Sequence, residues 1–241
     1  MIRLFHVSDV HFGAEDREAV AWFDSCVHAE QPDAIVMTGD LTMRARTDEF
    51  AAAAKWLEGL NRPITVEVGN HDLPLFNIFA RFVRPYHRYK KLERVIEQPL
   101  EIPGVSVVPM KTTTRFQLRN GSKGSVSDGS LSRALQGLAD ANAGGLNIVA
   151  CHHPLIEAGT HATARTQGGR DALSALVAAG ADAVLSGHVH EPFDLHHQEG
   201  GRTVRLIGAG TLSSRTRETR PSFNELKIDG RALEVVHRLM D

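Results

Sequence analysis

Short apolar runs punctuate the chain at Ile2–Val7, Ala34–Thr38, Ile64–Val68, Val105–Pro109, Leu146–Cys151 and Ala183–Ser186. They are rich in Val, Ile and Leu, have the length of strands, and are continuous enough to be buried on both faces. Between them apolar residues recur at helical spacing. Glu15–Ala29 brings Ala19, Trp22, Phe23, Cys26 and Val27 to one side, and Asp48–Leu60 does the same with Phe50, Ala53, Ala54, Trp56 and Leu57. Leu131–Ala139 and Asp171–Ala179 repeat the pattern. Strands alternating with helices predict an α/β layered core. The last third differs. Thr203–Ile207, Phe223–Ile228 and Ala232–His237 are closely spaced strand candidates joined by Gly-containing turns, and they predict a second, partly antiparallel sheet packed on the first. Asn120–Ser130 (NGSKGSVSDGS) reads as loop. There is no internal repeat and no linker between two cores, so residues 1–241 are read as one domain.

Composition changes this picture little. A length of 241 residues supports a sizeable core, and 42% hydrophobic with 23% charged residues is ordinary for a globular protein. The formal net charge of −2 provides no global basic field for nucleic acid, so a nucleic-acid partner is not expected. Two cysteines, Cys26 and Cys151, do not make a disulfide framework; a reducing, cytoplasmic location is the expectation. The N-terminal MIRLFHVSDVHFG turns polar too early for a signal peptide, and no apolar run reaches the ~18 residues of a membrane span. The departure from the ordinary is 13 histidines.

Many of them stand at strand ends. Ile2–Val7 leads into SDVH, with Asp9 and His11. Ala34–Thr38 leads into GD, with Asp40. Ile64–Val68 leads into GNHD, with Asn70, His71 and Asp72. Leu146–Cys151 leads into HHP, with His152 and His153, and Ala183–Ser186 leads into GHVH, with His188 and His190. Ligands of open α/β sheets bind outside the carboxyl ends of the strands, so these groups are predicted to converge. Carboxylates, imidazoles and an amide without thiolates suit Mn, Fe, Zn, Ni, Co or Mg. They are too many for one ion and about enough for two, as in sites that clamp both oxygens of an in-line displacement.

The ordered set D-x-H, GD, GNHD, H-x-P and GHxH resembles the calcineurin-like metallophosphoesterase superfamily, and within it the bacterial branch of cyclic-nucleotide and glycerophosphodiester phosphodiesterases. The tail GAGTLSSRTR with SFNELKI is similar to that branch, so the resemblance covers nearly the whole chain. It implies a four-layer α/β/β/α sandwich of two mixed sheets flanked by helices. It also implies two divalent ions, Mn or Fe favoured. One would be held by Asp9, His11 and His190 and the other by Asn70, His152 and His188, with Asp40 and a water or hydroxide bridging. His71 would sit over the substrate phosphate and protonate the leaving oxygen, with Asp72 orienting it. Two ions bring four positive charges; Asp9, Asp40 and a hydroxide cancel three, and neutral Asn70 leaves about one for an anionic ester.

Plainer readings stand beside these. A lone Asp after a strand is commonly a helix cap, and Asp72 could be one. Strand alternation points His153 away from His152, and Cys151 into the core. His196 and His197 read as a solvated hairpin. The basic run Ala80–Arg94 reads as a solvated helix face, a substrate-facing segment or a homodimer surface. The expected function is metal-dependent hydrolysis of a small-molecule phosphate ester, phosphodiesters first. A phosphomonoesterase, a nucleotide pyrophosphatase, a nuclease subunit and a non-catalytic protein-binding scaffold are the alternatives.

Overall fold

The computed structural model describes residues 1–74, 78–97, 100–114, 122–141, 144–163 and 165–241. In chain order the elements are β1 (Ile2–Val7), α1 (Arg17–Glu30), β2 (Ala34–Met37), α2 (Thr47–Gly59), β3 (Ile64–Val66), α3 (Ile78–Val83), α4 (His87–Ile96), β4 (Val105–Pro109), α5 (Asp128–Ala139), β5 (Leu146–Ala150), α6 (Gly169–Ala178), β6 (Ala183–Ser186), β7 (Phe193–Glu199), β8 (Arg202–Gly208), β9 (Ser222–Asp229) and β10 (Ala232–Leu239). Helix boundaries follow from capping. The Asp16 carboxylate accepts from the N–H groups of Glu18 and Ala19 to start α1, and the Ser127 hydroxyl accepts from Ser130 N–H to start α5. The second cap extends α5 three residues into the predicted loop; Asn120 and Gly121 of that loop lie outside the described residues.

Two five-stranded sheets result, ordered β10-β9-β1-β2-β3 and β4-β5-β6-β8-β7. β1, β2 and β3 are parallel, as are β4, β5, β6 and β8; β9, β10 and β7 are antiparallel to their neighbours. This corrects the expectation for the last third. Its strands do not form a sheet of their own. β7 and β8 complete one sheet, while β9 and β10 cross back to complete the other. Periodicity identifies strands but carries no information about which edge each one meets.

The strand faces sort into three cores. Phe5, Val7, Ile35 and Met37 turn outward against Phe23 and Val27 of α1, Trp56 and Leu57 of α2, and Tyr89 and Leu92 of α4. Val149, Val184 and Leu206 turn outward against Ala134 and Leu138 of α5 and Leu173 and Leu176 of α6. The alternate residues Leu4, Ala34, Val36, Ile148, Ala150, Leu185, Ile207, Leu226 and Ile228 form the layer between the sheets. Helices, sheet, sheet and helices therefore stack as the expected four-layer sandwich.

The basic run 80–94 becomes α3 and α4. Tyr89, Leu92 and Ile96 bury one stripe of α4, and the Tyr89 hydroxyl donates to Val66 O. A solvated helix is thus only its outer half.

Candidate metal centre

The parallel strands of each sheet end at the same side, and the loops that follow them interlock across the two sheets. Asp9 N–H donates to Gly39 O (3.0 Å) and His11 N–H to Asp40 O (3.0 Å). Gly187 N–H donates to His152 O (2.9 Å), and His188 N–H donates to Asp9 Oδ2 (2.8 Å). The packing leaves no room for a side chain at Gly187, where a Cβ would lie 2.4 Å from Asp9 Oδ2, or at Gly69, where it would lie 2.1 Å from Asp40 Oδ1.

Backbone strain marks the same place. Nine non-glycine residues among those described have positive φ, and five of them are Asp9 (55°), His11 (52°), Asp40 (53°), His188 (70°) and His190 (62°). Each costs about 1 kcal/mol or more. The cost concentrates where side chains must turn back toward a common point.

They do converge. Asp9, His11 and His190 form one group: His190 Nε2 is 3.2 Å from Asp9 Oδ1 and 3.2 Å from His11 Nε2. In the second, Asn70 Oδ1 is 3.1 Å from His152 Nε2, and the His188 ring lies 5.2 Å from that of His152. Asp40 stands between them, its Oδ2 at 3.7 Å from His11 Nε2 and 3.4 Å from His152 Nε2. Asp9, His11, Asp40 and His152 are almost wholly buried.

The donor set fits cations. His190 Nδ1 donates to Arg215 O (2.8 Å) and His152 Nδ1 donates to Thr38 O (2.7 Å). With Nδ1 so engaged, each ring turns Nε2 into the cluster, where giving up a proton to an incoming cation exposes the lone pair. Asp9 Oδ1, buried there, has no hydrogen-bond partner. A proton can satisfy one such pair; a cation in each group satisfies all. The electrostatics agree. Burial opposes charging His152, yet the Asp40 carboxylate outweighs it and raises the imidazole pKa to about 9. Burial, followed by the His152 charge, pushes His188 down to about 3.

Two expected placements come out differently. Asp72 does not touch the His71 ring. Its carboxylate accepts from the N–H groups of Thr42 (2.9 Å), Gly69 (2.9 Å) and Leu41 (3.3 Å) and from the Thr42 hydroxyl, so it pins the β2 and β3 loops together. Burial and then the Asp40 charge push its pKa up to about 7, against the pull of those donors. His71 is oriented instead by Met43 O, which accepts from Nδ1 (2.8 Å), while its backbone N–H donates to Asp40 Oδ1 (2.7 Å). Its Nε2 accepts from the Arg215 guanidinium (3.2 Å). His153 does not point away from the cluster. β5 ends at Ala150, so alternation no longer applies, and its ring packs 4.7 Å from His152 and 4.5 Å from His188. Both its nitrogens are taken, by Thr112 Oγ1 and Ser122 O, which leaves it no lone pair for an ion. Cys151 is buried in the outer core as expected.

Residues 2–192 match the family model for calcineurin-like phosphoesterases. The chain belongs to that family. Among relatives, the glycerophosphodiester phosphodiesterase GpdQ of Enterobacter lignolyticus (strain SCF1) is 30% identical over 95 residues, a stretch covering 34% of this phosphoesterase and 33% of the relative. Among solved structures, a dimetal phosphatase from Danio rerio superposes with a TM-score of 0.65 at 13% identity, covering 98% of both chains. The purple acid phosphatase PPD1 of yellow lupin (Lupinus luteus) seeds gives 0.73 at 12% identity, covering 99% of this chain and 51% of the other. These structural likenesses concern the fold.

The family is one of phosphoesterases, and membership implies a dinuclear metal centre. Arg84 and Arg88 line a cavity of about 390 Å³ together with Asp72, Pro74 and Phe79, and none of the clustered ligands lines it. No helix among the described residues is long and apolar enough to cross a membrane.

Two contributors escape the sequence motifs. Arg215 was visible only as part of a tail without assigned roles. His6, inside β1, carries no motif signal at all.

Proposed function

We propose that this phosphoesterase hydrolyses phosphodiesters with two divalent ions, one held by Asp9, His11 and His190 and the other by Asn70, His152 and His188. The observation that carries the reading is Asp40, whose carboxylate lies between the two groups within 4 Å of an imidazole from each. Bound there, the ions would supply Lewis acidity and a water that is nucleophilic at neutral pH. Oxygen and nitrogen donors without thiolate suit manganese or iron.

The chain's own residues have the remaining roles. Asn70 contributes a neutral oxygen where a carboxylate would cancel charge, which keeps the site attractive to an anionic ester. His71 is held at two points, its backbone N–H by Asp40 Oδ1 and its ring Nδ1 by Met43 O, which turns Nε2 toward the Arg215 guanidinium. To protonate a leaving oxygen from Nε2 it must carry a second proton and be released from Arg215. Asp72 acts by holding the β2 and β3 loops in register. Preference for diesters is supported by the likeness to GpdQ. The free cysteines, Cys26 packed against one outer core and Cys151 buried in the other, suit a cytoplasmic location.

The test is a metal-reconstituted screen. Bis(p-nitrophenyl) phosphate, p-nitrophenyl phosphate, cyclic nucleotides, glycerophosphodiesters and a nucleotide diphosphate derivative are compared by kcat/KM. Diesters should lead. A lead for monoesters would make the protein a phosphomonoesterase on the same site. No turnover with two ions bound would favour the scaffold reading.

A further inference from the structure

Arg215 follows β8 in the loop that closes the site from the C-terminal side. Its backbone is tied to the ligand loops. Thr211 Oγ1 donates to Asp9 O (2.6 Å), Arg215 N–H donates to Ser213 Oγ (3.3 Å), and Ser214 N–H donates to Ala14 O (3.1 Å). Its own carbonyl accepts from His190 Nδ1 (2.8 Å). A charged side chain is thereby set at the edge of the cluster on a braced stretch of chain.

The guanidinium is poorly matched to what it touches. Its Nη1 meets His71 Nε2 at 3.2 Å and Met43 S at 3.7 Å. Among the described residues no carboxylate lies within 4 Å of it, although other partly buried arginines are paired: Arg3 and Arg238 with Glu30 and Glu225, and Arg205 with Asp194. One imidazole nitrogen and one thioether, the latter a weak acceptor, engage only Nη1 of a group with five N–H donors in a planar fork. A phosphoryl oxygen adds the opposite charge that neither of these acceptors carries, and the fork matches phosphate geometry.

We propose that Arg215 is a substrate-binding residue that grips a non-bridging phosphoryl oxygen, exchanging the His71 nitrogen for it when the ester binds. The exchange leaves His71 Nε2 free to face the reacting ester. This inference rests on the phosphoesterase reading above, and it deepens that reading by giving the anion a protein-borne clamp.

The experiment uses the metal-loaded full chain, wild type and the variants Arg215→Gln and Arg215→Lys. Ion content is counted by elemental analysis, orthophosphate binding is measured by calorimetry, and KM is measured on bis(p-nitrophenyl) phosphate. A hydrogen bond between charged groups predicts a loss of about 10- to 100-fold in orthophosphate affinity for Arg215→Gln, with a comparable rise in KM and unchanged ion content. Arg215→Lys should recover part of the loss, since it keeps the charge without the fork. Unchanged orthophosphate affinity with both ions retained would overturn the proposal. So would loss of ions from both variants, which would make Arg215 a positioning residue for His190. Wild type that binds orthophosphate through Arg215 but turns over no ester would instead overturn the assigned function.

Discussion

His6 should make the protein acid-labile by a predictable amount. The ring is fully buried between the sheets. Nδ1 accepts from the Asn224 amide (3.1 Å), so Nε2 donates to Thr38 Oγ1 (3.0 Å). Thr38 in turn supplies the carbonyl that orients His152. Protonation would place a donor against the Asn224 donor inside the core. Burial depresses the His6 pKa to about 3, with Asp9 pulling it up and His237 pushing it down. In the unfolded chain the value is ~6.5. Above pH 6.5 the ring is neutral in both states and has no effect on the balance. As pH falls below 6.5 only the unfolded state gains the proton, so native stability declines until the folded value is reached. At pH 5 the interval is roughly 1.5 units, or about 2 kcal/mol at ~1.4 kcal/mol per unit. The assay is urea unfolding of wild type and His6→Gln between pH 7.5 and 5, in the same metal state so that the ligand histidines cancel. Wild type should lose about 2 kcal/mol more than the variant across that range. Parallel stability curves would refute the reasoning, because they would mean that the buried ring either takes up a proton or does not report on folding.

Three further outcomes test the site itself. Asp40→Ala, which removes the carboxylate shared by both groups, should lose both ions, and full occupancy by elemental analysis would contradict the bridging assignment. Asn70→Asp keeps an oxygen donor and adds a negative charge, so it should retain metal and lower kcat/KM for anionic esters; unchanged kinetics at full occupancy would remove the electrostatic argument. His71→Ala should keep its metals and lose ~10²–10⁴-fold on alkyl diesters, with a smaller loss on nitrophenyl diesters, whose leaving group needs no proton. Equal losses across leaving-group pKa would leave His71 as a phosphate-contacting group only.

Much of this could be read before any coordinates, because local physics governs it. The runs from Ile2, Val105, Leu146 and Ala183 become strands with little change in their limits, since short length, β-branched content and flanking turn residues favour a strand over a buried helix. The helices carrying Phe23 and Trp56 declare themselves by spacing. Asp9, Asp40, Asn70, His152 and His188 could be placed in one site because parallel strands end on the same side. Only the tertiary structure decided the rest. Asp72 looks like a partner for adjacent His71, but three N–H groups from the neighbouring loops claim it first. His153 turns into the cluster because the strand has already ended. β9 and β10 return to the first sheet rather than build the second, a choice of hydrogen-bonding edge that no alternation of side chains encodes. Arg215 and His71 meet across 144 positions, and His6 and Asn224 across 218. The first contact arises from how the two sheets stack, which three cores set at once, and the second from β9 pairing with β1; neither is encoded in any one stretch of chain.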